Sequence, residues 1–436
     1  MHSIVMSVRQ GRRRHAIAAW FLPGIHVKRW LLLLFFSILM LSLGAEYALR
    51  DAYSTIRFPV WVQTLTLQFL PRLVRASLFA VLGVGLLLLS FYKLGQSILG
   101  PLIEARGGDA AGIIDRLYSY RMLSKGPRVV TIGGGTGLSS LLRGIKKYTG
   151  NIVAIVTVAD DGGSSGRIRS QYRILPPGDF RQCLTALAET EPLMTQLFQH
   201  RFSGTGDLGG HSFGNLFITA MTEITGDFEH ALRESGRVLA VRGQIVPSTL
   251  QDILLCAEAG REIRIGESSV PHGLGEIDRV FLDPPDPPIN PEAQQALLDA
   301  DIVLIGPGSL YTSILPNLLV DGMAMTLRST PALKVYICNV ASQPGETLGY
   351  SVSKHLDVIE QHVGEGLFDY VIVNSNLSYP LPEAAVDAGI TRVLFDKDQA
   401  MQRPIHYVLA DVVSKDTPSH HDPDKLAKVI MRRIWR

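Results

Sequence analysis

The chain has 436 residues, and 42 Lys and Arg against 40 Asp and Glu leave a formal net charge of only +2. This balance gives no indication of nucleic-acid binding, and the length suits one large domain with an additional segment. The three cysteines, Cys183, Cys256 and Cys338, are far apart and form no Cys-x-x-Cys pair. That pattern argues against a disulfide framework or a cysteine metal site, so we expect reduced, mostly buried thiols in a cytosolic domain.

Two apolar segments, residues 30–45 and 76–92, predict a transmembrane hairpin within residues 30–92. A helix that spans the bilayer needs about 17–25 residues, and the length of each segment is close to the lower end of that range. The basic residues that precede the first segment lie in residues 1–29 and place the N-terminus, and hence the large domain, in the cytoplasm; they are Arg9, Arg12, Arg13, Arg14, Lys28 and Arg29. A cleaved signal peptide and two buried core helices are the alternatives. We expect a multi-pass protein of the cell membrane.

The rest of the chain divides into a linker, a domain and a terminal helix. Residues 93–126 predict a short juxtamembrane helix and linker, residues 127–415 a nucleotide-binding domain, and residues 416–436 a basic C-terminal helix. The apolar side of that helix is expected to dock on the domain, with contact to anionic lipid as the alternative; its members are Leu426, Val429, Ile430 and Ile434.

A β-branched run beginning at Val129 ends in a glycine-rich turn and passes into a helical pattern at Leu138. Glycines let several backbone N–H groups approach an anion, and the helix that follows adds its positive N-terminal end. The turn therefore predicts a phosphate or diphosphate site, although an ordinary strand-to-helix connection is the alternative. Its residues are Gly133, Gly134, Gly135, Thr136 and Gly137.

A second apolar run, residues 151–158, predicts a buried parallel strand that ends in an acidic loop. An acidic residue at this place in a βαβ unit commonly binds a ribose, and the Gly/Ser-rich continuation suits a phosphate or a divalent metal. A solvated turn is the alternative. Of the two arginines in this region, Arg167 and Arg169, one is expected to be a surface charge. The candidate binding residues are Asp160, Asp161, Gly162, Gly163, Ser164, Ser165 and Arg167.

Three further polar residues are candidates for the site. Asp179 stands where a helix should begin, with Gln182 three residues later, which predicts a capping box; a metal- or substrate-binding carboxylate is the compatible alternative. His211 lies in a glycine-flanked loop, which favours a ligand contact, with a packing histidine as the alternative. Asn215 is expected to begin the next helix, either capping it or binding a base or ribose.

Strand and helix patterns alternate through the second half of the domain. The run 301–305 leads into the loop of Gly306, Pro307, Gly308 and Ser309, and the runs 334–338 and 369–373 end at asparagines. Open α/β sheets place ligands at the carboxyl ends of parallel strands. The pattern predicts an α/β domain with a doubly wound, Rossmann-like parallel sheet, preceded by the two-helix transmembrane hairpin.

The motifs GGGTGLSSLLRGIK, IVAIVTVADDGGSSGRIR and LPPGDFRQCLTALAE resemble the gluconeogenesis factor family, which is related to 2-phospho-L-lactate transferase. The resemblance covers roughly residues 127–415, and the N-terminal segment departs from the family's cytosolic domain. It implies binding of UDP-activated sugars, notably UDP-N-acetylglucosamine, and a link to cell shape and to growth on gluconeogenic carbon. No catalytic activity is firmly assigned to the family. The resemblance also implies that residues 133–137 approach the diphosphate, that Asp160 or Asp161 with Asn215 lies near the nucleoside or metal, and that residues 306–309 close the site.

Two other functions remain open. A transferase like the related enzymes would move a phospholactyl group from a guanosine diphosphate adduct to a deazaflavin with Mg²⁺, for which Asp160, Asp161 and Asp179 are candidate ligands. An NAD-dependent oxidoreductase is disfavoured, because Leu138 stands where G-x-G-x-x-G needs its last glycine. We expect a nucleotide sugar and the membrane as partners, a homo-oligomer as an open alternative, and no nucleic acid; the sequence leaves a protein partner unidentified.

Overall fold

The computed structural model describes residues 122–189, 192–272 and 276–435, with scattered positions between residues 35 and 88. The chain divides into two compact units, Met1–Met122 and Leu123–Arg436. The described part of the first unit contains a short helix, Val60–Leu65. Among the described residues, no helix combines the length and apolarity needed to cross a bilayer. Residues 1–29, residues 93–121 of the predicted linker and most of the predicted hairpin lie outside the described residues.

The described residues of the second unit contain ten strands in two sheets. They are β1 Val129–Gly133, β2 Ile152–Val156, β3 Gln244–Pro247, β4 Leu254–Ala259, β5 Glu262–Ile265, β6 Arg279–Asp283, β7 Ile302–Ile305, β8 Leu333–Ile337, β9 Tyr370–Asn374 and β10 His406–Ala410. Seven form a sheet in the order β10-β9-β8-β7-β1-β2-β3, and its neighbouring strands all run parallel. This confirms the predicted α/β class with a Rossmann-like sheet.

Helices surround the sheet and connect its strands. They are α1 Gly135–Ile145, α2 Gly163–Tyr172, α3 Pro177–Leu187, α4 Pro192–Gln199, α5 Phe213–Thr225, α6 Phe228–Val238, α7 Pro291–Leu298, α8 Leu315–Leu318, α9 Met323–Ser329, α10 Val352–Val363, α11 Glu383–Asp387, α12 Lys397–Ala400 and α13 Pro423–Val429. Because helices cover a parallel sheet on both faces, its central strands are apolar along their whole length. Every residue of β1 and of β7 is buried.

The register of the central strands determines where a ligand fits. Gly133, the last residue of β1, pairs with Val156 of β2, and Ile132 pairs with Ile305 of β7. The carboxyl ends of the three strands therefore meet at one edge. The chain leaves β1 toward β2 on one side and returns later to β7 on the other, so the gap between β1 and β7 is the topological switch point, where such sheets bind ligands.

The C-terminal helix belongs to the core of the second unit. Helix α13 packs on α1 and continues as a π-helical turn, Ile430–Ile434. Leu426 and Ile430 are fully buried. The contact is close, because a Cβ at Gly144 would lie 2.1 Å from the carbonyl oxygen of Pro423. The apolar side of this segment thus docks on the domain, as the sequence pattern predicts.

Candidate functional site

A cleft opens at the switch point between the loops that follow β1 and β7. Its volume is about 290 Å³. The loops approach so closely that a Cβ at Gly137 would lie 2.4 Å from the carbonyl oxygen of Pro307, and this contact requires glycine. The predicted residues that line the cleft are Gly134, Gly135, Thr136, Gly137, Pro307, Gly308 and Ser309. Two further segments of the lining, residues 339–344 and 419–421, carried no prediction as binding residues.

Asp179 faces the β1 loop. Helix α1 begins at Gly135, whose backbone N–H donates to Asp179 Oδ2 at 2.8 Å. The predicted capping box is wrong, because the N-cap of α3 is Pro176 and Asp179 lies in the first helical turn. Its partner is a tertiary contact, which the local pattern with Gln182 does not reveal. A Cβ at Gly134 would lie 2.6 Å from the same carboxyl oxygen, so glycine makes this approach feasible.

Asp160 lies close enough to Asp179 for its charge to disfavour the ionised form of Asp179. Burial, and then the charge of Asp160, raise the pKa of Asp179 to about 7. Burial also raises the pKa of Asp160, although the Gly162 N–H donates to Asp160 Oδ1 at 2.9 Å and opposes the shift. Gly178 brings the two acids together, since a Cβ there would lie 2.8 Å from Asp160 Oδ2. Burial and both aspartates raise the pKa of Glu267, a residue without a prediction, to about 8.

Asp161 has a separate role. Its Oδ1 accepts a hydrogen bond from the Ser268 N–H at 2.8 Å, near the start of the 3₁₀ helix Glu267–His272. Within the described part of the chain, no group of three or more His, Cys, Asp or Glu is placed to hold a metal. The assignment of Asp160, Asp161 and Asp179 as metal ligands stays a prediction. The pair Asp160 and Asp179 still fits Mg²⁺, which proteins usually bind through one or two carboxylates together with water and phosphate oxygens.

The acidic loop, His211 and Asn215 meet in one hydrogen-bonded cluster. Asn215 does not begin or cap α5: the helix starts at Phe213 and Ser212 is its N-cap. Instead, Asn215 Nδ2 donates to Ser164 Oγ at 3.0 Å, and Asn215 Oδ1 accepts from Arg181 Nε at 2.9 Å. Ser164 Oγ lies 3.0 Å from His211 Nδ1. The structure thus brings three predicted residues together and adds Arg181, which had no prediction.

The two arginines after the acidic loop differ in environment. Arg167 is exposed, as expected for one of them, and donates to the Gly209 carbonyl at 2.8 Å. Arg169 is buried, donates to the Ile253 carbonyl and pairs with Asp252. Arg169 is therefore committed to tertiary structure, and Arg167 is the one of the two that an incoming anion can reach.

The remaining residues of the acidic loop form the first turn of α2. Helix α2 begins at Gly163, with Gly162 as its N-cap. Ser165 is buried, and its hydrogen bond to Asp160 favours the ionised carboxylate. The loop thus turns its serines inward, toward Asp160 and the His211 cluster.

Glu346 holds the loop that follows β7. Ser309 is the N-cap of the π-helical turn Leu310–Ile314, and its hydroxyl donates to Glu346 Oε2. The same carboxyl oxygen accepts from the Tyr311 N–H at 3.4 Å. Burial raises the pKa of Glu346. On the other side, Asn339 Nδ2 donates to the Gly308 carbonyl at 2.9 Å. Asn339 and Glu346 lie in the run CNVASQPGET. The signal that could have identified them as site residues is the position of this run directly after an apolar strand.

Comparison with known proteins identifies the family. The family model for 2-phospho-L-lactate transferase CofD matches residues 129–413. The gluconeogenesis factor of Bacillus subtilis (strain 168) is 46% identical over 309 residues, which are 70% of this chain and 97% of that protein. The chain belongs to the gluconeogenesis factor family. The resemblance seen in the sequence motifs is thereby confirmed, and the CofD match includes the site from the β1 loop to Glu346.

The relatives of this gluconeogenesis factor family member occur in two lengths. A UPF0052 family member from Bacillus halodurans, known from a crystal structure, has a TM-score of 0.67 and 44% identity, covering 71% of this chain and 99% of that one. A relative from Nostoc sp. is 43% identical over 97% of this chain and 94% of its own length. The second alignment extends through most of the N-terminal unit. That unit is therefore shared with a relative and is not a departure from the family.

Proposed function

We propose that this protein binds a UDP-activated sugar, with UDP-N-acetylglucosamine favoured, in the cleft at the switch point. The observation that carries the proposal is the meeting of two phosphate-type loops, residues 134–137 and 307–309, on the walls of one cleft of about 290 Å³. The first turn of α1 opens there, and the N–H groups of a first helical turn lack intrahelical partners. A diphosphate suits that position, and the polar lining at residues 339–344 and 419–421 suits a sugar or base.

Asp160 and Asp179 would hold Mg²⁺ beside the diphosphate. When bound, the metal would neutralise phosphate charge. The chain's own contribution is to keep two carboxylates near the start of α1, with Gly135 hydrogen-bonded to one of them. Burial raises the pKa of both carboxyls, and the charges of Arg169 near Asp160 and Arg181 near Asp179 offset that effect only in part. A divalent ion would complete this compensation.

The N-terminal unit would tether this site to the cell membrane. Residues 30–45 and 76–92 remain our candidates for two spans, with the N-terminus and the large domain in the cytoplasm. A tethered nucleotide-sugar binder would regulate cell shape, wall synthesis and growth on gluconeogenic carbon through a protein partner that is still to be identified. Carbonate washing of membranes tests the tether: retention of the full chain supports it, and release into the soluble fraction contradicts it.

A ligand screen tests the binding proposal. Thermal unfolding of the full chain is measured with UDP-N-acetylglucosamine, UDP, GDP, GTP or NAD, each with and without Mg²⁺. A ligand that binds only the folded state must raise the melting temperature by mass action. We expect selective stabilisation by UDP-N-acetylglucosamine that is weakened in Asp160→Ala. No shift with that ligand at millimolar concentration, confirmed by equilibrium dialysis, contradicts the proposal.

A phospholactyl transferase is the second candidate, because the CofD family model matches residues 129–413 and Asp179, with Asp160 nearby, contacts Gly135 of the cleft. In such a reaction the protein would contribute mostly positioning and charge stabilisation. The expected signs are a guanosine preference, dependence on Mg²⁺, and turnover of a guanosine diphosphate phospholactyl adduct with a deazaflavin. Absence of turnover with both substrates and Mg²⁺ present argues against it.

A further inference from the structure

Four side chains form a hydrogen-bond chain that has a fixed direction. Arg181 Nε lies 2.9 Å from Asn215 Oδ1, Asn215 Nδ2 lies 3.0 Å from Ser164 Oγ, and Ser164 Oγ lies 3.0 Å from His211 Nδ1. Ser164, His211 and Asn215 are all buried. A guanidinium only donates, so the amide oxygen of Asn215 must face Arg181 and its NH₂ group must donate to Ser164.

This direction determines the tautomer of His211. The Ser164 hydroxyl accepts from Asn215 and has one proton to donate. Its only other partner among the described residues is His211 Nδ1. If Nδ1 carried a proton, the buried hydroxyl proton would lose its acceptor, which is unfavourable for a buried polar group. Nδ1 therefore accepts, and the neutral ring carries its proton on Nε2, which has no hydrogen-bond partner in the described part of the protein.

The surroundings of His211 are positively charged. Arg167 donates to the carbonyl of Gly209, and Arg201 donates to the carbonyl of Gly210 at 2.7 Å. Both arginines are exposed and flank the loop that carries the histidine. Burial, followed by these two charges, lowers the pKa of His211 and so favours its neutral ring. A neutral N–H donor in these positively charged surroundings suits an anionic oxygen better than a cation or an apolar group.

We propose that His211, held as the Nε2–H tautomer, donates this hydrogen bond to a phosphate oxygen of a nucleotide that extends from the cleft toward the acidic loop, since His211 itself is not among the residues that line the cleft. Ser164 and Asn215 are positioning residues that act through His211, and Arg181 fixes the direction of the chain. The inference rests on the proposed nucleotide binding and adds a specific atom, a proton and a ligand group to it. It also places Arg201, which had no prediction, beside Arg167 at the anionic end of the ligand.

The tautomer is tested by long-range ¹H–¹⁵N NMR of the full chain labelled with ¹⁵N-histidine, with His211 assigned by comparison with His211→Gln. At pH 7 we expect a protonated Nε2 and an unprotonated Nδ1. Ser164→Ala should remove this preference while leaving the other histidine signals in place, a response that loss of packing alone does not predict. A protonated Nδ1 at His211 in the wild type overturns the inference.

The ligand contact is tested by calorimetry with UDP-N-acetylglucosamine, UDP, uridine and pyrophosphate. Loss of a charge-assisted hydrogen bond should weaken binding of the phosphate ligands about tenfold or more in His211→Leu. His211→Gln, which keeps an amide N–H near the Nε2 position, should stay within a few fold. His230→Leu, which alters an exposed histidine on α6, is the matched control. Uridine binding should be unchanged in all three variants.

The outcomes separate this inference from the proposed function. If the wild type binds pyrophosphate but no UDP-sugar, the proposed function fails. The comparison of His211→Leu with the wild type for pyrophosphate then still tests the phosphate contact. Equal affinity of His211→Leu and the wild type for UDP and pyrophosphate overturns the contact. Equal weakening of uridine and UDP assigns His211 to the nucleoside, and it contradicts the phosphate assignment. Wild-type protein that binds none of the ligands contradicts both.

Discussion

The carboxyl of Asp179 accepts a hydrogen bond from the Gly135 N–H at 2.8 Å, so an acidic side chain lies at the N-terminus of the helix that the glycine-rich loop begins. A helix N-terminus favours negative charge, and this favours the ionised acid. Burial and the neighbouring charge of Asp160 nevertheless raise its pKa to about 7. A diphosphate placed at this loop would add further negative charge. A cation or a proton on Asp179 must therefore accompany such a ligand.

The raised pKa of Asp179 predicts that the protein becomes less stable as pH rises toward 7. Between about pH 4 and pH 7 the folded state retains a proton that the unfolded state has released, so stability falls across this window and levels off above it. The difference between about 7 and the ordinary 3.8 corresponds to at most roughly 4 kcal/mol. Asp179→Asn should therefore stabilise the protein at pH 8 but not at pH 4, measured by urea unfolding.

The control for this experiment is Asp207→Asn, a change of an exposed carboxylate in the loop before His211. It should alter the unfolding free energy by less than about 0.5 kcal/mol at either pH. Asparagine at position 179 retains an oxygen that can accept from Gly135, so the substitution removes charge and keeps the contact. A stabilisation of Asp179→Asn that is equal at both pH values would show that the charge is not responsible.

Mg²⁺ should stabilise the full chain more at pH 8 than at pH 6. Metal ligands must be deprotonated, and Asp179 with its pKa of about 7 is mostly ionised only at the higher pH. The shift in melting temperature with 5–10 mM Mg²⁺, about the range in which weak binding is visible, should disappear in Asp160→Asn. Ca²⁺ and Na⁺ at matched ionic strength serve as comparisons. An equal Mg²⁺ effect in the variant would place the ion elsewhere.

Most of the sheet could be predicted from the sequence, because buried parallel strands read as uninterrupted apolar runs. The predicted run 301–305 is β7 from Ile302, and 334–338 is β8 shifted by one residue. Strands β3 and β10 had no prediction. β3 has four residues and ends in proline, and β10 is only partly buried at the sheet edge, so neither gives a strong pattern. The antiparallel sheet β5-β4-β6 had no prediction either, since its edge strand β5 is mostly exposed and gives no apolar run.

The site could be predicted where function depends on local backbone geometry, and not where it depends on distant contacts. The loops at the ends of β1 and β7 could be predicted, because in both places glycines directly follow an apolar run. Asp161 and Ser268 are 107 positions apart, and Ser309 and Glu346 are 37 apart. No periodicity within one segment reports such pairs. The same limit explains why an i, i+3 pattern at Asp179 suggested a capping box, whereas its partner is Gly135.

Gly137→Ala should destabilise the domain and abolish ligand binding. The added Cβ would lie 2.4 Å from the carbonyl oxygen of Pro307, and the three nearest atoms all belong to the backbone of Pro307 and Gly308, which can move only with strain. We expect a loss of about 1–3 kcal/mol in unfolding free energy. Gly206→Ala is the matched control, because a Cβ there meets no atom within 4 Å. A variant at position 137 with unchanged stability and affinity would show that the two loops need not approach this closely.

Glu346→Ala should loosen the loop that follows β7, whereas Glu346→Gln should largely preserve it. The carboxyl accepts from the Ser309 hydroxyl and the Tyr311 N–H, and burial raises its pKa, so a neutral amide oxygen is a close substitute. Alanine leaves these donors without their acceptor, which costs about 1–3 kcal/mol. Hydrogen exchange at the Tyr311 amide should accelerate in Glu346→Ala and stay near the wild-type rate in Glu346→Gln. Equal acceleration in both variants would assign the effect to the negative charge, and unchanged exchange in both would mean that other contacts hold the loop.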